Sequence, residues 1–290
     1  MPKTSRPSYR DEAFVVRTYD LGEADQIIVL LTRHHGIVRG VAKGVRRTRS
    51  RFGARLDRFC LVDVLIYPGR NRSKPDGGLA VLSDAAAVRT YAPAIVADVD
   101  KFYAGVAMLE ITELVVRGDD SDAETVLELL DAALGDLAAS TKPGTGPGTG
   151  RSTAPDTTGT LPQTVSGSGT LTTLLPAVTQ ADRLVLEVLT ATGWAPSLVD
   201  CAQCGAPGPH RAFHPGAGGA VCVRCRPPGA VEPDPAAVRV LWLLSHGRES
   251  AVAEIAASPD GGGILREAHS LLLAHTRYQT ENGCRGYAAL

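Results

Sequence analysis

Between residues 11 and 86 the apolar positions come in short, β-branched runs. Residues 13–19 (AFVVRTY), 26–32 (QIIVLLT), 36–43 (GIVRGVAK), 59–67 (FCLVDVLIY) and 79–85 (LAVLSDA) each have the length of a strand. Turn signals separate them at Leu21–Gly22, His35–Gly36 and Pro68–Gly69. Five strands in about 75 residues predict a small five-stranded barrel of the oligonucleotide/oligosaccharide-binding (OB) type, with half of a β-sandwich as the structural competitor. From Tyr91 the period lengthens. Ile95, Val99, Phe102, Val106, Leu109 and Leu114 recur at helical spacing, and so do Val126, Leu127, Leu130, Leu134 and Leu137. These predict helices over roughly 93–117 and 121–139, with Ser121 and Glu124 as a capping box for the second. Further helices are expected over 179–193, ending at Gly193, and near 234–246, 250–257 and 263–281. Residues 140–173, rich in Ser, Thr, Gly and Pro, carry too little apolar surface to offset the entropy of ordering and read as a disordered insertion.

The pattern therefore predicts an α+β chain. A barrel occupies 1–86 and a helical domain 87–197, interrupted by 140–173. A cysteine-bearing module follows over 198–230, and the helical domain resumes over 231–290. The whole chain of 290 residues has a formal charge of −1 and a pI near 6.7, which argues against a uniformly basic coat protein. Its longest apolar run, Ile27–Leu31, is far shorter than a membrane span, and MPKTSRPSYRDE has no hydrophobic signal core, so a cytoplasmic protein without a membrane partner is expected.

Splitting the charge changes the picture. Residues 31–60 carry nine basic side chains against Asp57 alone, a net +8, whereas residues 87–139 carry a net −8. Lys43, Arg46, Arg47, Arg49 and Arg51 crowd the segment after the third strand, with Arg39 and Arg55 on either side. Arg70 and Arg72 form a second basic loop between the last two strands. Guanidinium forks match phosphate oxygens, so this cationic set predicts nucleic-acid binding rather than a merely solvated charge run. Phe14, Tyr19, Phe52 and Tyr67 are candidates to stack bases, although Phe14 and Tyr67 also read as barrel core.

The strongest motif is Cys201-x-x-Cys204, seventeen residues, then Cys222-x-x-Cys225. This is the spacing of two knuckles that close one tetrahedral zinc shell, and a complete four-thiolate shell implies one structural Zn2+ rather than catalysis. His210 and His214 lie between the pairs as weaker competing ligands. Arg211, Arg224 and Arg226 flank the cluster; Cys60 reads as a buried thiol and Cys284 as an incidental tail thiol. His34 and His35 read as an exposed turn, and Glu110 and Glu113 as ordinary surface acids on a helix. Phosphate-loop, H-E-x-x-H and G-x-S-x-G patterns are absent, so no enzyme activity is expected.

The run TYDLGEADQIIVLLTRHHGIVRGVAKGVRRTRSRFGARL resembles the N-terminal region of the RecO family of bacterial recombination mediators. The matching features are Gly22-Glu23-x-Asp25, the Leu31-Thr32-x-x-x-Gly36 hairpin, and Ala42-Lys43-Gly44 followed by arginines and Ser50. Thr192-Gly193-Trp194-x-Pro196 leading into Cys201, and Phe213-x-Pro215, are similar to that family too. The resemblance implies an OB barrel, a helical domain with an inserted zinc module, and binding of single- and double-stranded DNA. It also implies annealing of complementary strands without ATP and help in loading RecA on strands covered by single-stranded-DNA-binding protein (SSB). The implied partners are RecR and the SSB C-terminal tail, with nucleoid association on DNA. By position, Lys43, Arg46, Arg47 and Arg49 would touch DNA, and Cys201, Cys204, Cys222 and Cys225 would hold an architectural metal. An RNA-binding or translation-associated OB/zinc-ribbon module is the alternative reading.

Overall fold

The first strand, β1 (Tyr9–Leu21), is long enough to serve two neighbours. Its early residues pair antiparallel with β4 (Cys60–Tyr67) and its later ones with β2 (Asp25–Thr32), the register shifting between Val15 and Arg17. With β3 (Gly36–Ala42) and β5 (Ala80–Thr90) the strands close in the order β1-β2-β3-β5-β4, and β3–β5 is the parallel contact. This is the five-stranded barrel of the OB type, and closure excludes the half-sandwich. The computed structural model describes residues 7–47, 50, 52–69, 78–116, 122–140 and 175–290; Ser121, and with it the expected capping box, lies outside them, as do residues 141–173.

The unbroken apolar run AFVV in β1 has a physical cause. Successive strand residues face opposite sides. Ala13 and Val15 fill the barrel with Ile28, Leu30, Val62, Val64 and Ile66. Phe14 and Val16 point outward, yet join Leu31, Phe59 and Leu61 in a core shared with the helices. Both faces of β1 are thus buried, and each side chain removed from water contributes about 1.5–3 kcal/mol. Gly40 belongs to the same packing: a Cβ there would lie 2.5 Å from Leu82 Cδ2. The short 3-10 turn Gly53–Leu56 is bracketed by Phe52 and Leu56, which are buried in the barrel core.

The expected helix over 93–117 is two helices, α1 (Ala92–Val96) and α2 (Val99–Val116). Asp98 causes the break: its Oδ1 accepts from the N–H groups of Asp100 (2.9 Å) and Lys101 (3.2 Å) and starts α2 afresh. α3 (Ala123–Ala139) and the central α4 (Ala177–Ala191) pack against α2. Asp122 at the start of α3 makes no side-chain cap bond. α5 (Pro235–Ser245) begins with the Asp234 carboxylate accepting from the Ala236 N–H at 2.8 Å, and α6 (Glu249–Ala256) and α7 (Gly261–Thr280) complete the body. A hairpin of β6 (Ala212–His214) and β7 (Gly219–Val221) carries the cysteine module. Among the described residues no helix is long and apolar enough to cross a membrane.

Candidate metal centre and nucleic-acid interface

The path into the cysteine module starts at the end of α4. Gly193, at φ +76°, turns the chain out of the helix in the left-handed conformation glycine tolerates. Trp194 then donates its N–H to Leu189 O at 2.7 Å. His275 of α7 donates from Nε2 to Trp194 O at 2.8 Å, and its burial lowers its pKa below the usual histidine range. Phe213 of β6 is buried beside His275 and exchanges both backbone hydrogen bonds with Val231.

Within the module each cysteine pair forms a knuckle. The Gly205 N–H closes the first on Cys201 O (2.8 Å), and the Cys225 N–H closes the second on Cys222 O (3.1 Å). Ala202 N–H to Ala220 O stitches the first knuckle to β7, which runs directly into Cys222. The four sulfurs all lie within 4.8 Å of one another, with Cys204 Sγ and Cys222 Sγ 3.8 Å apart. A tetrahedron of metal–sulfur bonds of about 2.3 Å has edges of roughly 3.8 Å, so this donor set fits a closed thiophilic site. Backbone N–H groups, that of Cys222 first, lower the Cys201 thiol to about 6. The sulfurs of Cys222 and Cys204 push the Cys225 thiol up to about 12, a repulsion that a central cation removes. Neither histidine joins this group: His210 Nε2 meets the Ala206 carbonyl at 3.0 Å, and the His214 ring lies beside Gly216.

Apart from Arg10, which pairs with Asp63 and Asp84 within the barrel, two populations of barrel arginines stand out. One population reaches the acids of the helical body. Arg17 pairs with Glu113 (3.0 Å), Arg33 with Glu124 and Glu128 (3.1 and 2.9 Å) as well as with Glu12 of β1 (3.0 Å), and Arg89 with Asp131. The net negative charge of the helices is thus partly consumed in bolting them to the barrel, and Arg33 is withdrawn from the cationic segment. The other population lies where β3 leaves the barrel. There the Gly44 N–H donates to Asp25 Oδ1 (2.8 Å) and the Arg46 N–H to Ala24 O (3.0 Å), so the loop is sewn to the β1–β2 hairpin. Arg46 is paired with Asp20 at 3.1 Å. Lys43 and Arg47 are exposed and have no ion-pair partner among the described residues. Arg39 is exposed on β3, and Arg55 donates to Ala85 O at 3.2 Å. Arg49, Arg51, Arg70 and Arg72 lie outside the described residues.

Residues 6–91 match the family model for "Recombination protein O N terminal", and residues 174–286 the model for "Recombination protein O C terminal". The DNA repair protein RecO of Thermobifida fusca is 39% identical over 277 residues, 96% of each chain. That of Cutibacterium acnes is 36% identical over 284 residues, 98% of this chain and 99% of the relative. The chain belongs to the RecO family. Membership places it among the proteins of DNA repair and recombination.

Several residues in this RecO-family chain do more than their sequence context indicates. Glu113 is 1% exposed, and Glu110 accepts the backbone N–H groups of Gly286 (2.8 Å) and Tyr287 (3.0 Å), so neither is an ordinary surface acid. Their partners lie on distant segments, Arg17 on β1 and the turn at the C-terminus, beyond the reach of helical periodicity. Cys284 is fully buried, and burial raises its thiol pKa, so it is core and not an incidental tail group. The His34–His35 turn is exposed as expected, but both Nδ1 atoms meet the buried Asp11 carboxylate, at 2.9 and 2.7 Å. Phe14 and Phe52 are buried, which leaves Tyr19 and Tyr67 exposed among the four aromatics proposed to stack bases.

Proposed function

We propose that this RecO-family chain is a non-catalytic mediator. It binds single- and double-stranded DNA, anneals complementary strands without ATP, and helps load RecA on SSB-covered single strands in the cytoplasm. RecR and the SSB C-terminal tail are its protein partners, and Cys201, Cys204, Cys222 and Cys225 hold one structural Zn2+. The observation that carries this reading is the sorting of charge. The helical body neutralises Arg17, Arg33 and Arg89, while Lys43 and Arg47 stay exposed where β3 leaves the barrel. A confined cationic edge lets two phosphate backbones approach by releasing their counterions. When bound, the metal supplies rigidity: it holds the two knuckles and the β6–β7 hairpin in one unit.

The direct test mixes complementary SSB-coated oligonucleotides without nucleotide. Substoichiometric protein is expected to speed their pairing; an unchanged rate overturns the annealing reading. A double Lys43→Ala, Arg47→Ala variant is expected to bind single strands more weakly. Its plot of log affinity against log salt should flatten by about 1.4, because each lost single-strand phosphate contact removes about 0.7 from the slope. A slope equal to that of the unsubstituted protein would place the phosphate contacts elsewhere.

A further inference from the structure

The strand registers assemble a surface that no single segment of the sequence displays. Tyr19 of β1 lies opposite Ile27 of β2, and Ile27 opposite Val41 of β3. Val41 pairs with Val81 of β5, and Val81 with Tyr67 of β4. Directly paired residues share a face, so these five side chains form one continuous row across all five strands. The row faces outward. Tyr19 is 48% exposed, Val81 37% and Tyr67 47%, while Ile27 and Val41 between them are half-buried. The neighbours inside the barrel, such as Ile28, Ala42, Ile66, Ala80 and Leu82, are buried. An aromatic ring thus stands at each end of a low aliphatic floor. Four interstrand steps separate the rings by roughly 19 Å along the sheet.

Two cations border the row. Arg39 sits two residues before Val41 on β3, hence on the same face, and Lys43 begins the turn that follows the strand; both are exposed. Arg17, two residues before Tyr19 on β1, pairs with Glu113 of α2 at 3.0 Å. Elsewhere on the outer wall Phe14, Val16 and Leu31 are sealed against helices, and Arg10, Asp63 and Asp84 form an exposed ion-pair cluster. The exposed apolar row thus lies on a part of the wall that the helices leave open.

We propose that Tyr19–Ile27–Val41–Val81–Tyr67 is a base-stacking platform, with Arg39 and Lys43 taking the adjacent phosphates, and that it makes the barrel favour single strands over duplex. The proposal rests on the DNA-binding reading above and adds its selectivity. Unpaired bases offer π-faces to the two tyrosines, and every base offers one, so stacking is tolerant of sequence. In a duplex those faces are occupied by neighbouring base pairs, and phosphates alone remain for the cations.

The test measures anisotropy of labelled oligothymidine and of a labelled hairpin duplex over a range of salt, with Tyr19→Ala, Tyr67→Ala, the double variant, and the conservative Tyr19→Phe and Tyr67→Phe. Each alanine variant is expected to lose about 5- to 150-fold in single-strand affinity, the span that a stacking contribution of about 1–3 kcal/mol per base implies. The salt slope should hold, duplex affinity should stay within about twofold, and the phenylalanine variants should bind like the unsubstituted protein. Both tyrosines are exposed, so melting curves of the variants should coincide with that of the parent. Equal losses for single strand and duplex, or no loss for either, would overturn the platform; the second outcome would point to a protein partner on this face. Failure of the unsubstituted protein to bind any DNA would instead remove the parent reading, so the two failures are distinguishable.

Discussion

Removal of the metal is expected to melt residues 197–231 while the barrel stays folded. The module has almost no core of its own: Cys201, Ala212, Val221 and Cys222 are its buried cluster, and two of these four are cysteines of the candidate metal site. Its regular structure is two strands of three residues. Ordering each backbone residue costs about 1–2 kcal/mol, which so small a cluster cannot offset. A structural zinc ion contributes about 10–16 kcal/mol of apparent binding energy in small peptides, and that energy becomes folding energy. Chelation followed by hydrogen exchange checks this. The amides of Ala202, Gly205 and Ala220, held in the module by backbone hydrogen bonds, should exchange freely once metal release is confirmed, while those of β1 and β2 keep their protection. Cys222→Ser should reproduce the effect. Undiminished protection in the metal-free protein would show that the module stands without its ion. Cobalt substitution reads the shell directly: four thiolates give one charge-transfer signature, and a solvent-exchangeable ligand would contradict a closed site.

The second large effect is expected at the far end of the chain. Tyr287→Ala should destabilise the protein by about 3–5 kcal/mol, the range for truncating a buried aromatic ring. Tyr287 is completely buried in the 3-10 turn Tyr287–Ala289. Its hydroxyl donates to the buried Asp182 Oδ1 of α4, its ring lies edge-on to His269 at 4.7 Å, and its backbone N–H donates to Glu110 of α2. Burial holds the phenol well above its usual pKa, so it remains a proton donor at neutral pH. The alanine variant removes the ring and leaves the Asp182 carboxylate with His269 alone. Tyr287→Phe separates the two contributions, since it keeps the ring and loses only the hydrogen bond, at about 1–2 kcal/mol. Urea unfolding of the three proteins gives the values. A loss below about 1 kcal/mol for the alanine variant would mean that the C-terminal turn detaches without consequence.

Much of the site could be read from the chain because its signals are local. The cysteine spacing encodes the knuckles, since two intervening residues are what a backbone turn around a sulfur needs, and Cys201 to Cys225 do converge. The strand runs could be read for the same reason: period-2 burial is set by neighbours in sequence. The aromatic candidates could not be sorted. Phe14 and Tyr19 belong to one strand, yet Phe14 is sealed by the helices and Tyr19 stands outside. Which part of the barrel wall the helices cover depends on Phe59, Leu61 and the α2 face meeting across the fold. The arginines posed the same problem. Arg33 and Lys43 sit in one basic stretch, but Arg33 closes on Glu124 and Glu128 of α3.

Local pattern was enough for the element types, the barrel strand count, the grouping of the four cysteines and the segregation of positive from negative charge. All of these follow from short-range periodicity, spacing and composition. Which charges cancel was settled by the folded arrangement. It paired Arg17, Arg33 and Arg89 with acids of α2 and α3, and left Lys43 and Arg47 exposed. It also aligned Tyr19, Ile27, Val41, Val81 and Tyr67 from five strands into one row. One cause underlies both outcomes. Coulomb pairing and shared sheet faces depend on separations of a few ångströms in space, and only the closed barrel, docked on its helices, sets those separations between residues far apart in the chain.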